Sequence, residues 1–126
     1  MLIDSSFYID ALRRRRELPL LLRDLLVAGR LWTCGVVRLE VLRGVRNETI
    51  KSDLSLMFDV MNDIPTDGDL WRSATELGWK LDRRGMVLPV SNLIIASCAI
   101  RADVPVLTLD NNFGRIPGLR THRALS

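Results

Sequence analysis

Residues 1–6 read MLIDSS, an uninterrupted apolar run that ends on a carboxylate and two hydroxyls. An apolar run without polar alternation indicates a strand buried on both faces, as in a parallel sheet covered by helices. Asp4 is then predicted to lie at the carboxyl end of a central strand. Open α/β sheets bind their ligands at that edge, so other acids that reach it would join Asp4 in one site.

Composition and charge place the chain among folded globular proteins. Its 126 residues are 48% hydrophobic and 26% charged, which is typical of one domain spanning residues 1–126. No apolar run approaches the roughly 18 residues that a membrane span needs, and Met1 leads into the predicted strand without room for a signal peptide. We therefore expect a cytoplasmic protein without a membrane partner. The net charge of +3, with basic residues that are nearly all arginine, suits a polyanionic partner.

Helical and extended patterns alternate along the chain. Helices are predicted to begin at a cap formed by Ser5 or Ser6, and to cover residues 19–29, 37–45, 50–62, 69–84 and an almost wholly apolar stretch from Ser91. Further strands are predicted at residues 31–34, 104–107 and 119–123. Because the connections are too long for hairpins, we expect an α/β fold with a parallel sheet of about five strands and helices on both faces.

Several side chains have two interpretations. Residues 13–16 are four consecutive arginines, which form either a solvated turn or a patch that contacts phosphate. Trp71 and Trp79 lie two turns apart on a predicted helix, and we favour a core or dimer contact over a platform for stacking bases. Leu20 and Leu39 are assigned to the core faces of their helices.

Two predicted strands end on aspartate, one at Asp4 and one at Asp110. If these strands are neighbours, the two carboxylates lie together, which is costly unless a cation such as Mg²⁺ or Mn²⁺ lies between them. Histidine catalysis has little support, because His122 is the only histidine and we assign it to the surface. Cys34 and Cys98 lack the spacing of a zinc site and are expected to be reduced core thiols.

Four stretches in order resemble the PIN domain: MLIDSSFYID at residues 1–10, VVRLEVLRG at 36–44, VLPVSNLIIASCA at 87–99 and VLTLDNNF at 106–113. More specifically, they resemble the small ribonuclease toxins of bacterial toxin–antitoxin modules called VapC. Each stretch alone carries little information, whereas all four at this spacing cover essentially the whole chain.

The resemblance implies roles for individual positions. Asp4 matches the first acid of the family, a direct metal ligand, and Glu40 matches the second, which often acts on the metal through water. Asp110 matches the acid of the T-x-D motif. Phe113 matches the aromatic residue that anchors the following loop. Ser6 falls where the family often has a small polar side chain near the site, and it is assigned to substrate binding.

Position 92 departs from the family pattern, because Asn92 stands where the family normally has a metal-binding aspartate. Asn112 likewise occupies a place where an acid or histidine is common, and it is assigned to substrate binding. An amide oxygen can coordinate Mg²⁺, but it brings no charge and cannot accept a proton as a carboxylate does. The local alternative for Asn92 is a helix cap or a first-turn residue, since asparagine is well suited to that.

The resemblance implies a metal-dependent endoribonuclease toxin whose catalytic residues are Asp4, Glu40, Asn92 and Asp110. Mg²⁺ or Mn²⁺ would be held by Asp4, Asn92 and Asp110, and activity would be weakened by Asn92. The expected partners are an RNA substrate, a cognate antitoxin and a second copy of the chain. The alternative is an inactive PIN-like module that binds RNA or antitoxin without cleavage. A third reading is that the asparagine was introduced to silence a toxic enzyme, which the native gene would settle.

Overall fold

The computed structural model describes residues 1–125, and residue 126, the last of the predicted domain, lies outside that range. The strands are β1 (Leu2–Ile3), β2 (Trp32–Thr33), β3 (Asn62–Asp63), β4 (Val106–Leu107) and β5 (Thr121–His122). The helices are α1 (Ser5–Arg13), α2 (Leu18–Leu21), α3 (Arg23–Val27), α4 (Gly35–Leu42), α5 (Glu48–Asp59), α6 (Gly68–Arg83) and α7 (Val90–Ala102), and a 3₁₀ helix covers Asn111–Arg115. The predicted alternation of strands and helices is confirmed.

The five strands form one parallel sheet in the order β3-β2-β1-β4-β5. The first strand therefore lies at the centre, as the apolar run predicts. Leu2 pairs with Val106 and Ile3 pairs with Leu107. This register brings the residues after β1 and β4 to the same edge of the sheet, as expected for Asp4 and Asp110.

The core lies between the sheet and the helices on its two faces. Leu2, Ile3, Val106 and Leu107 are fully buried, as expected for central strands of a covered parallel sheet. Tyr8 packs edge-on against the ring of another buried aromatic on α5, with ring centroids 5.2 Å apart. Its burial raises the pKa of the Tyr8 hydroxyl well above the usual range.

Two leucines predicted in the core lie on the surface instead. The predicted helix at residues 19–29 divides into α2 and α3 at the buried Leu22, and Leu20 is consequently 64% exposed. In α4 the buried side chains are Val37 and Val41, one turn apart, whereas Leu39 is 64% exposed. Both assignments were wrong because apolar spacing alone does not say which face of a helix is covered.

Helix α6 packs on α7 with its tryptophans turned outward. Trp71 is 49% exposed and Trp79 57% exposed, so the core alternative for this pair is wrong. The buried face of α6 includes Ala74 and Gly78. A Cβ on Gly78 would lie 2.8 Å from a terminal methyl of Leu93, so the missing side chain permits the close approach of the two helices.

Two carboxylates cap helices. Asp4 itself caps α1, because its side chain accepts the Ser6 N–H, so the predicted cap at Ser5 or Ser6 was wrong. Asp67 caps α6 by accepting the Leu70 N–H at 3.0 Å. The cap at Asp4 fixes the side chain at the point where β1 ends and α1 begins.

Cys34 and Cys98 are buried free thiols, as predicted. The neighbouring Cys34 thiol, together with burial, raises the pKa of the Cys98 thiol well above its usual range. Among the helices of residues 1–125, none has the length and apolar character to span a membrane.

Candidate active site

Asp4 is the most buried acid at the carboxyl edge of the sheet, with 3% of its surface exposed. Its Oδ2 accepts hydrogen bonds from Ser6 Oγ at 2.7 Å and from Thr108 Oγ1 at 2.9 Å. Its backbone N–H donates to the Leu107 carbonyl at 2.9 Å, which continues the pairing of β1 with β4. Two hydroxyl donors thus hold one oxygen of the buried carboxylate in place.

Thr108 and Ser6 tie together the chain segments that follow the two strands. Thr108 Oγ1 accepts the Asp110 N–H at 2.9 Å while donating to Asp4. Ser6 Oγ accepts the Leu109 N–H at 3.0 Å while donating to the same carboxylate. The positions of Asp4 and Asp110 are therefore coupled through short hydrogen bonds rather than by the sheet alone.

Glu40 reaches this cluster through Ser5, a buried residue at the start of α1. Ser5 Oγ lies 3.1 Å from Glu40 Oε1 and 3.4 Å from Asp4 Oδ1. A hydroxyl has one proton to donate, and the shorter distance assigns it to Glu40. Asp4 Oδ1 is then left facing the site without a close donor.

Asn92 lies in the first turn of α7 with 7% of its surface exposed. Its Nδ2 donates to Asp110 Oδ2 at 3.1 Å. The other oxygen of Asp110 accepts the Asn112 N–H at 2.9 Å and caps the 3₁₀ helix. Asn92 therefore makes no capping hydrogen bond within α7, whose cap is Pro89, so of the local alternatives the helix cap is wrong and the first-turn position is the one observed.

The structure thus brings Asp4, Glu40, Asn92 and Asp110 to one edge of the sheet, as the sequence predicts. The Ser6 hydroxyl makes hydrogen bonds within the protein with both its proton and its lone pair. The backbone of Asn112 contacts Asp110. The sequence did not predict that Ser5 bridges Asp4 and Glu40, or that Thr108 contacts both Asp4 and the Asp110 N–H. Their hydroxyls adjacent to the predicted acids were the available signal.

The donors at this edge are suited to a hard cation. Carboxylate and amide oxygens are the ligands that Mg²⁺ and Mn²⁺ prefer, and Asp4 Oδ1 is free to serve as one. The predicted ligands Asp4, Asn92 and Asp110 carry two negative charges, where three carboxylates would carry three. Among residues 1–125, no three His, Cys, Asp or Glu side chains are grouped so as to hold a metal ion. The donor set therefore fits a divalent cation in chemistry, with an amide in place of one carboxylate.

The amide of Asn92 also changes the electrostatic interaction between position 92 and Asp110. A carboxylate at position 92 would face Asp110 across the 3.1 Å that now separates the amide nitrogen from Oδ2. Like charges at that distance repel unless a proton or cation lies between them. Asn92 replaces that repulsion with a hydrogen bond to Asp110.

The chain is similar to a known domain family and to several solved structures. The family model of the PIN domain matches residues 1–119. This chain belongs to the PIN domain family. Members of this family are typically nucleases and generally use divalent metal ions. A sequence comparison with curated proteins gives no match.

Solved structures with the same fold include chains from several VapBC structures. VapBC2 from Rickettsia felis, bound to a DNA fragment from its promoter, matches with a TM-score of 0.76 at 19% identity over 96% of both chains. DNA-bound VapBC from Salmonella typhimurium matches with a TM-score of 0.75 at 19% identity, over 96% of this chain and 95% of that one. VapBC-1 from nontypeable Haemophilus influenzae matches with a TM-score of 0.72 at 16% identity, over 96% of this chain and 95% of that one.

Proposed function

We propose that this PIN domain is a metal-dependent endoribonuclease, the toxin of a cytoplasmic toxin–antitoxin pair, and that Asn92 weakens its activity. The observation that carries the proposal is the network of hydrogen bonds that holds Asp4, Glu40, Asn92 and Asp110 at one sheet edge in a PIN domain. The family's usual nuclease chemistry and the fold shared with VapBC proteins support it.

The residues that would hold the cation are Asp4, Asp110 and the amide oxygen of Asn92. When bound, a hard divalent cation supplies Lewis acidity at the phosphate that is cleaved. Glu40 uses one oxygen to accept the Ser5 hydroxyl, which leaves its other oxygen to orient water for in-line attack. Ser6 and Thr108 keep Asp4 in its rotamer through the hydrogen bonds to Oδ2.

The weakened activity follows from the chemistry of the amide. Asn92 contributes no negative charge and accepts no proton, and it engages an oxygen of Asp110 that would otherwise be available to a cation. Loss of a mere outer partner of a metal ligand costs about 10 to 100-fold in affinity or activity, so a missing ligand charge should cost at least as much.

The test compares the protein with its Asn92→Asp variant on total RNA and on a single-stranded oligonucleotide, with Mg²⁺, with Mn²⁺ and with EDTA. We expect the variant to cleave at least about 10-fold faster, only with metal. Asn47→Asp is the matched control, because it adds the same charge at the cap of α5, outside the site. A variant that cuts no RNA under any of these conditions, and arrests no growth on expression, contradicts the nuclease proposal.

Melting in EDTA and in Mg²⁺ separates the nuclease from an inactive binding module without relying on cleavage. Asn92→Asp should melt at a lower temperature than the parent in EDTA, since the new carboxylate faces Asp110. Mg²⁺ should reverse that loss because the ion binds the folded state. If Mg²⁺ leaves the melting temperature of the variant unchanged, and calorimetry detects no uptake, the binding-module alternative replaces the first proposal.

We propose further that the antitoxin occupies a groove of about 790 Å³ between α1, α2 and α5. Its walls are largely apolar and its rim carries arginines and two acids: Leu12, Leu18, Leu20, Ile50 and Leu54 face it, with Arg15, Arg16, Arg23, Glu17 and Asp53 around them. An amphipathic helix with acidic flanks is the occupant that these walls favour. The VapBC complexes of the same fold motivate this choice.

The antitoxin proposal is tested by co-purification with the protein encoded alongside. Leu20→Glu should abolish the complex, because Leu20 lines the groove and is 64% exposed, so the fold tolerates the charge. Leu56→Glu is the matched control: this residue is 63% exposed on α5 and does not line the groove. Equal loss of binding in both variants argues against this groove.

A homodimer is proposed through the exposed face of α6. Trp71 and Trp79 lie on one side of this helix with about half of each side chain exposed, and large exposed aromatics are enriched at protein interfaces. Light scattering after gel filtration should give a dimer at micromolar concentration, and Trp71→Ala with Trp79→Ala should give monomers. A stable monomer of the parent protein at that concentration excludes the dimer.

A further inference from the structure

A second groove, which we name the α1–C-terminal groove, begins beside the acidic cluster. Its volume is about 400 Å³, and Phe7, Asp10, Arg16, Leu109, Arg123 and Leu125 are among its lining residues. Leu109 lies between Thr108 and Asp110, and its N–H donates to Ser6 Oγ at 3.0 Å. The wall of the groove is therefore continuous with the segment that positions the catalytic acids.

The charge of this groove is positive at its rim. The negative charge of Asp10 is balanced by Arg14, whose Nε lies 3.1 Å from Asp10 Oδ2. Arg16 and Arg123 have no carboxylate of residues 1–125 within 4.0 Å. Two guanidinium groups therefore remain without an acidic partner in the described chain, and their planar forks match the oxygens of a phosphate.

Arg123 is also held in place before any ligand arrives. Its Nη1 donates to Asn111 Oδ1 at 2.6 Å, and Asn111 directly follows Asp110. A guanidinium fixed to the catalytic loop loses less conformational entropy on binding than a free surface arginine. The apolar side chains of Phe7, Leu109 and Leu125 line the same groove as the two arginines.

We propose that the α1–C-terminal groove binds an unpaired nucleotide of the RNA strand next to the bond that is cleaved. Arg16 and Arg123 contact the flanking phosphates, and the apolar wall receives the base. This inference rests on the proposed function. Single-stranded RNA fits because its bases are free to leave the stack and its phosphates attract arginine, whereas a duplex cannot place a base in a groove of this size.

Binding is measured in EDTA by fluorescence anisotropy of a short labelled oligouridylate, so that the result does not depend on cleavage. Arg123→Ala and Arg16→Ala should each weaken binding about 3 to 10-fold, and each should lower the slope of log affinity against log salt by about 0.7. Arg123→Lys should keep the salt slope while losing part of the affinity. Arg13→Ala is the matched control, since Arg13 belongs to the same arginine run but does not line the groove.

The outcomes separate this inference from the proposed function. If Arg13→Ala weakens binding as much as Arg16→Ala and Arg123→Ala, the arginines act as a diffuse positive surface and the groove proposal fails. Equal affinity for duplex and single-stranded RNA also overturns it. If binding follows the groove variants while Asn92→Asp cuts nothing, the groove proposal stands and the nuclease proposal fails. The three arginine positions are exposed, and a melting curve confirms that each variant is folded.

Discussion

Replacing Thr108 by valine tests whether one hydroxyl holds the two halves of the candidate site together. The side chain is 3% exposed, and valine has nearly the same shape. The substitution removes the hydrogen bond to Asp4 Oδ2 and leaves the Asp110 N–H without its acceptor, both of which now measure 2.9 Å. Asp4 keeps its bond from Ser6 at 2.7 Å.

The expected loss of stability combines these two effects. A hydrogen bond to a charged group contributes roughly 1.5–3 kcal/mol, and an orphaned buried N–H costs roughly 1–3 kcal/mol. They share one hydroxyl, so they do not add in full, and we expect Thr108→Val to lower the free energy of unfolding by about 2–4 kcal/mol. For a domain of this size, that corresponds to roughly 8–15 °C in melting temperature.

The assay is urea unfolding followed by tryptophan fluorescence, at one protein concentration and without metal. Thr108→Ser is the matched control, because it keeps the hydroxyl and removes only the methyl. It should lose less stability than the valine variant. A loss below about 1 kcal/mol for Thr108→Val, or an equal loss for both variants, would refute the view that this hydroxyl couples Asp4 to Asp110.

Three further changes have expected outcomes. Thr33→Val should stabilise the fold by about 1 kcal/mol in urea unfolding, because Thr33 Oγ1 is buried without a partner in residues 1–125. Gly78→Ala should destabilise by about 1 kcal/mol, since crowding against Leu93 at 2.8 Å outweighs the gain in helix propensity. The hydrogen bond from Arg101 lowers the pKa of Asp67, so the stability that Asp67→Asn removes should be fully present above the usual pKa of 3.8 and should be lost as pH falls through the lowered pKa of the folded state.

Each of these has its own control. Thr33→Ser keeps the unpaired hydroxyl and should not stabilise. Gly35→Ala begins α4 with nothing within 4 Å of the new Cβ, and it should be neutral or stabilising. If the difference in free energy of unfolding between Asp67→Asn and the parent is the same at pH 3 and at pH 7, the contact with Arg101 is contradicted.

Much of the fold follows from local patterns. The apolar runs that end at Asp4 and Asp110 predict two neighbouring central strands, and the sheet places them side by side. Buried strands of a parallel sheet need apolar side chains on both faces, so they are recognisable in the sequence as uninterrupted apolar runs. The assignments of Leu20 and Leu39 failed because the exposed side of a helix depends on the elements that pack around it.

The sequence alone determined the class of fold and placed Asp4 and Asp110 at the sheet edge, because strand ends are local features, whereas Glu40 and Asn92 were assigned to the site by the resemblance to the PIN domain. Only the tertiary structure decided how those residues meet. Thr108 contacts Asp4 across 104 positions, and Ser5 contacts Glu40 across 35. Such hydrogen bonds depend on strand register and on the approach of α4 to α1, which no local pattern encodes. The same holds for Asn92, whose amide meets Asp110 only through the packing of α7 against the 3₁₀ helix.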